Sequence, residues 1–184
     1  MCRQVLRARD RRVGSDRHAS KYRSGTIGLD VTRKSKPSYP PAPWHIVYYK
    51  RLRKHDRTEP RPGMTFLNAC PTPIRYQMLA IVKAVADAPP PAFGGGGKWE
   101  AMSGDMADYF QIKVDGFDQG ARKHWRLFCL MERSEDVDGL PGPCVIVITG
   151  LVKPYLTKFT NEEYATVRAL GDEFLGSLPR SVAL

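Results

Sequence analysis

The sequence predicts an α+β fold, and three observations carry that prediction. Strand-like runs of β-branched and aromatic residues stand apart from the helical patterns rather than alternating with them. The three runs in the second half are joined by short, turn-rich segments at 115–122 and 132–143, lengths that favour antiparallel pairing. Two helical patterns sit together ahead of those runs, and a third, with its own start signal, closes the chain.

The elements follow in order. Trp44-His-Ile-Val-Tyr-Tyr49 is a strand. The twelve residues Lys50–Arg61 carry six Lys/Arg and read as a turn or loop, with a short helix after them around Gly63–Ala69. Thr72 is the expected N-cap of a stronger helix with Pro73 at its first position. Ile74, Met78, Ile81, Val82 and Val85 form its apolar face, and three prolines end it near Ala88. Ala88–Gly97 is a loop, stiff where it is proline and slack where it is glycine. Strands follow at about Trp99–Val114, interrupted near Ser103–Gly104, then at Lys123–Met131 and Cys144–Leu151. Thr160-Asn-Glu-Glu163 fits a capping box, and Tyr164, Val167, Leu170, Gly171, Phe174 and Leu178 supply the buried stripe of the last helix.

Charge is distributed unevenly over the 184 residues. The net charge is +10, but residues 1–43 hold eleven Lys/Arg against three acids, leaving the remainder near neutral. Residues 1–43 lack hydrophobic periodicity and end in Pro37-Ser-Tyr-Pro-Pro-Ala-Pro43, so they read as a basic, mostly disordered tail. That tail is either an RNA-binding arm or the product of a start assigned upstream of the true one, Val31 being the alternative. The domain proper is 44–184.

Several classes are excluded. The longest strongly apolar run, Cys144–Ile148, is far too short for a bilayer helix, and no apolar segment follows the basic N-terminus, so neither a membrane nor an export signal is expected. Four scattered cysteines then read as reduced thiols of a cytoplasmic protein. No Cys/His spacing fits zinc, and neither a metal nor a cofactor is expected. Gly94–Lys98 fails as a phosphate loop because Ala92 and Trp99 stand where Gly and Ser/Thr are needed. Asp136-Val-Asp138-Gly139 fails as a calcium loop because Val145 falls at the bidentate glutamate position.

One constellation survives. If Ile112, Val114, Trp125, Leu127 and Cys129 pack on the helices, strand alternation puts Tyr109, Lys113, His124 and Arg126 together on the other face. Lys153 and Lys158 border that surface, and Lys98 enters from the glycine loop. Cations with a phenol and an imidazole suit a phosphodiester. Attack by a 2′-OH needs a proton acceptor, a proton donor and positive charge on the developing phosphorane. The alternative is a solvated face, with Arg126 paired to an acid such as Glu100 and Tyr109 packed at a rim.

The residues that carry a family resemblance are Trp44–Tyr49, Phe66–Pro71, Lys98–Met102, Tyr109–Lys113, Trp125–Phe128 and Val147–Lys153, in that order. Over about 44–176 the chain resembles the RelE/HigB toxins of the RelE/ParE superfamily. The resemblance implies a twisted, mainly antiparallel sheet packed on two N-terminal helices. It further implies metal-independent cleavage of mRNA on the ribosome, with inhibition by a cognate antitoxin, a small helix-turn-helix protein. Arg126 would clamp the scissile phosphate, Lys113 stands where many members carry Arg, and Lys153 follows the last strand as a family lysine does. Pro154, Gln111 and Thr149 depart from a second Lys, a common Glu and a frequent His, leaving His124 or Tyr109 as substitute proton carriers and Lys98 and Lys158 as RNA contacts. A ParE-like gyrase inhibitor and a non-catalytic RNA- or protein-binding relative are the rivals on the same fold.

Overall fold

The computed structural model describes residues 42–90 and 97–184. The tail expected at 1–43, apart from its last two residues, and the glycine half of the 88–97 loop lie outside the described residues.

The chain is α+β, with three α-helices and one mixed six-stranded sheet among the described residues. In chain order these are β1 (His45–Tyr49), α1 (Pro62–Ala69), α2 (Thr72–Asp87), β2 (Trp99–Ala101), β3 (Phe110–Asp118), β4 (Ala121–Glu132), β5 (Cys144–Pro154), α3 (Asn161–Leu175) and β6 (Val182–Ala183). The sheet order is β2-β3-β4-β5-β1-β6. Strands β2 to β5 pair antiparallel in sequence, while β1 lies parallel to β5, His45 against Cys144. β6 closes the far edge as a two-residue strand on β1, too short to leave a periodicity in the sequence.

Helices cover both faces. One core joins α1 and α2 to Ile112, Val114, Trp125, Leu127, Cys129, Val145 and Val147. The partition of alternating residues by face is therefore as the sequence implied. Gly63 and Gly150 let α1 lie almost on the backbone of β5: a methyl on the first would meet Val147, and on the second the Phe66 ring. The other core joins Val167 and Phe174 of α3 to Phe128, Ile146 and Ile148. Cys70, Cys129 and Cys144 are free and buried.

Four local expectations are corrected. α2 begins at Thr72 itself, with Pro71 before it and no side-chain cap, so the Thr-Pro signal sits one residue inside the helix. The turn assigned to 115–122 shrinks to Gln119-Gly120, both at positive φ, as a two-residue hairpin turn requires. β3 consequently runs on through Asp115–Asp118, with Gly116 making room for Ile74. α3 carries the full Thr160/Glu163 capping box as expected, but it ends at Leu175, and Leu178 is exposed.

Candidate phosphate-binding furrow

The antiparallel register of β3, β4 and β5 builds the site in two rows. Lys113 lies directly opposite Arg126, and Arg126 opposite Leu151. One step along, Asp115 faces His124, which faces Lys153. Rows on one face repeat every second residue, about 7 Å apart. β2 adds Glu100 opposite Gln111.

α3 crosses this same face but covers only part of it. Beyond Tyr164 the sheet is open. There a depression of about 400 Å3 is bounded by Glu100, Lys113, Arg126, Lys158, Phe159 and Tyr164. A second, also about 400 Å3, shares Lys113 and Arg126 and runs to Gly97 and Lys98. A third, of about 360 Å3, shares Glu100 and Tyr164 and extends to Asp105 and Arg168. The first two meet at Lys113 and Arg126, the second reaching over to Gln77 of α2, and the first and third meet at Glu100, Gln111 and Tyr164; this run of adjoining depressions is the furrow. A larger apolar hollow of about 590 Å3 lies elsewhere, between α1 and α3.

Lys113 and Arg126 each have their own acid. Lys113 Nζ is 2.7 Å from Glu100 Oε2, and Gln111 also donates to that oxygen. Arg126 Nη1 reaches Asp115 Oδ1 at 3.2 Å and the Trp125 carbonyl at 2.9 Å. The Lys113 bond holds the Glu100 carboxyl below its ordinary value. Burial works against ionisation of Asp115, but hydrogen bonds from His124 and Arg126 outweigh it, so this carboxyl also titrates low. Arg126 pairs with Asp115, not with Glu100 as the sequence left open.

The proton carriers named from the sequence are engaged elsewhere. Tyr109 has the predicted face, yet that end of the face is roofed by α3: its ring is buried and its hydroxyl donates to the Arg168 carbonyl at 3.4 Å. Gly171 makes this docking possible, because any side chain there would overlap the Tyr109 hydroxyl. Burial, then the nearby Asp172 charge, pushes the Tyr109 phenol up to about 12. Tyr109 is therefore a packing residue, and its placement in the site is corrected.

His124 borders the furrow with both ring nitrogens occupied. Nδ1 lies 2.7 Å from Asp115 Oδ1, and Nε2 accepts the Leu156 N–H at 3.0 Å. That pattern selects the tautomer with the proton on Nδ1. Tyr155 packs on the imidazole at 4.7 Å, and Arg122 stacks on Tyr155 at 3.7 Å. Lys153 turns toward the start of α3, bonding Glu163 Oε2 and the Lys158 carbonyl, both at 2.7 Å. Its role in the structure is to fasten the 154–160 loop to the capping box. Lys98 and Lys158 are exposed at the two rims.

Sequence reasoning missed three groups: Glu100, Asp115 and Tyr164. Asp115 fell in a segment read as turn, and Glu100 entered only as a possible partner for Arg126. Tyr164 read as a core residue of α3; it is half-buried against Phe128, and its hydroxyl has no hydrogen-bond partner among the described residues. A tyrosine, with its hydroxyl, at the outer end of an otherwise apolar stripe was the only signal. No group of three His, Cys, Asp or Glu able to hold a metal exists among the described residues, and none of their helices is long and apolar enough to cross a membrane. Comparison with protein-family models, curated proteins and solved structures finds no match to this chain.

Proposed function

We propose that the chain is a toxin-type endoribonuclease that cleaves mRNA on the ribosome by attack of the RNA's own 2′-OH, held in check by a cognate antitoxin. The observation that carries this reading is the Lys113–Arg126 pair, register partners in an open furrow with Lys98 and Lys158 at its rims. Two adjacent cations suit two oxygens of one phosphate, and Arg offers a fork of donors to them.

Bound RNA would exchange the phosphate for Glu100 and Asp115 as partner of the two cations. Glu100, released from Lys113 and still accepting from Gln111, takes the 2′-OH proton. The 2′-oxygen attacks phosphorus, Lys113 and Arg126 balance the phosphorane charge, and the Lys113 ammonium gives a proton to the departing 5′-oxygen. The products are a 2′,3′-cyclic phosphate and a 5′-hydroxyl. The Tyr164 hydroxyl, which borders the same depression as Lys113 and Arg126, donates to a phosphate oxygen.

A second reading, a non-catalytic RNA-binding relative, is favoured by one observation: Tyr109, His124 and Lys153 are all bound within the fold. Mapping of mRNA 5′ ends after induction in bacteria decides between them. Codon-positioned cuts lost in Arg126→Ala and in Glu100→Gln are expected. Growth arrest with DNA breakage and intact mRNA would replace the nuclease by a gyrase inhibitor, and absence of cuts with retained RNA binding would leave the binding module.

A further inference from the structure

The Lys50–Arg61 loop, rich in cations, takes no part in the furrow. It leaves β1 and is pinned to the C-terminal half of α3, where Arg51 grips Glu173 through Nε–Oε2 at 2.8 Å and Nη2–Oε1 at 2.6 Å. Tyr164 of the furrow lies nine residues earlier on α3, about 13 Å along its axis. The Tyr49 hydroxyl donates to the same carboxylate at 3.0 Å. The loop closes at its base through Arg51 N–H to the Pro60 carbonyl at 2.9 Å, and turns on the Leu52 carbonyl, which accepts from His55 and Asp56.

Both acids of the loop are spent on its shape. Asp56 takes the Thr58 N–H and hydroxyl on one oxygen and Arg51 on the other, and Glu59 takes Lys50. Arg53, Lys54, Arg57 and Arg61 are left exposed, with no ion pair among the described residues. A frame held from within thus presents four cations outward, so little ordering entropy opposes binding.

We propose that this loop is a docking surface for the phosphate backbone of duplex RNA, separate from the furrow. None of the exposed large apolar residues lies on the loop, so it has neither the side chains that enter a lipid surface nor an aromatic anchor for a protein partner. Three guanidinium groups and an ammonium with free donors are what phosphate contacts use. The choice of RNA over DNA rests on the RNA reading of the furrow.

The test measures binding of the full chain to a 20-base-pair RNA duplex by fluorescence anisotropy over a salt series, with a DNA duplex of the same sequence alongside. R53Q/K54Q/R57Q/R61Q is expected to bind at least tenfold more weakly in low salt, with a log K against log[salt] slope shallower by roughly 3. R53K/R57K/R61K is expected to keep the slope. The control R75Q/K83Q/R133Q is expected to change affinity less than threefold. An unchanged slope in the quadruple variant overturns the proposal, as does an equal loss in the control. Tighter binding to DNA than to RNA, or a loss seen only with vesicles containing phosphatidylserine, overturns it as well.

Discussion

His124 shows how one side chain can sit at a candidate active site and serve the fold. Its Nδ1–H points at Asp115 while Nε2 receives the Leu156 N–H, at a residue held at φ +66. Both ring nitrogens are thus engaged by the fold, and through them the ring ties β4 to the 154–160 loop. His124→Gln, whose amide oxygen can still accept from Leu156 but carries no proton, is expected to lower stability by about 1 kcal/mol and to leave mRNA cleavage within a few-fold of the parent. Cleavage lost at unchanged thermal stability would return His124 to the chemistry. Lys153 belongs to the same scheme: its ammonium joins the Glu163 carboxylate, the Lys158 carbonyl and the Phe159 ring, which lies 5.5 Å away. Lys113 and Arg126 are the cations that line the furrow, set opposite each other by strand register and each held by an acid, Glu100 and Asp115.

At the scale of elements, α3 decides what the sheet face can do. Its start was legible because a capping box is a four-residue pattern whose hydrogen bonds are made within itself. The division of β3 and β4 side chains between faces was legible because alternation is a property of the strand. Where α3 lies across the sheet was not, because it depends on Gly171 meeting Tyr109, a contact between distant segments with no local signature. The Gln119-Gly120 turn was missed for a related reason: Gln rarely adopts positive φ, so the signal was too weak to extend β3 to Asp115. The α3 docking can be measured. Gly171→Ala places a methyl against the Tyr109 hydroxyl and is expected to cost about 1–3 kcal/mol. Tyr109→Phe removes that oxygen and one long hydrogen bond, for less than about 1 kcal/mol. The double variant is expected to recover at least half of the Gly171→Ala loss in urea unfolding. Strict additivity would mean that the two residues do not share the contact.

For the molecule as a whole, charge is arranged in layers rather than in sum. The +10 of the sequence is concentrated in residues 1–43, and among the described residues eight of the sixteen acids of 44–184 are tied to cations. Those ties set the acid limit of stability. The Arg51 bond holds Glu173 below its ordinary value, Lys153 does the same for Glu163 and Lys113 for Glu100, and Asp115 is lowered against its burial. A depressed folded-state value means stability that is present above about pH 4 and is lost as pH falls through the lowered values. The alkaline limit comes from buried groups kept neutral. Burial pushes Cys70 up to about 11, and Cys144 and Tyr109 to about 12, and it raises Cys129 and Tyr49 as well. The folded chain holds these protons more tightly than the unfolded one, so their contribution is full below about pH 8.5 and is lost as pH climbs toward the folded values. Urea unfolding under reducing conditions is therefore expected to show a plateau between about pH 5 and 8, falling on both sides. Cys144→Ala should flatten the alkaline arm, because it removes a thiol that ionises in the unfolded chain but not in the fold. An alkaline arm equally steep without Cys144, or stability unchanged from pH 7 to 10.5, would show that these buried thiols and phenols do not set the limit.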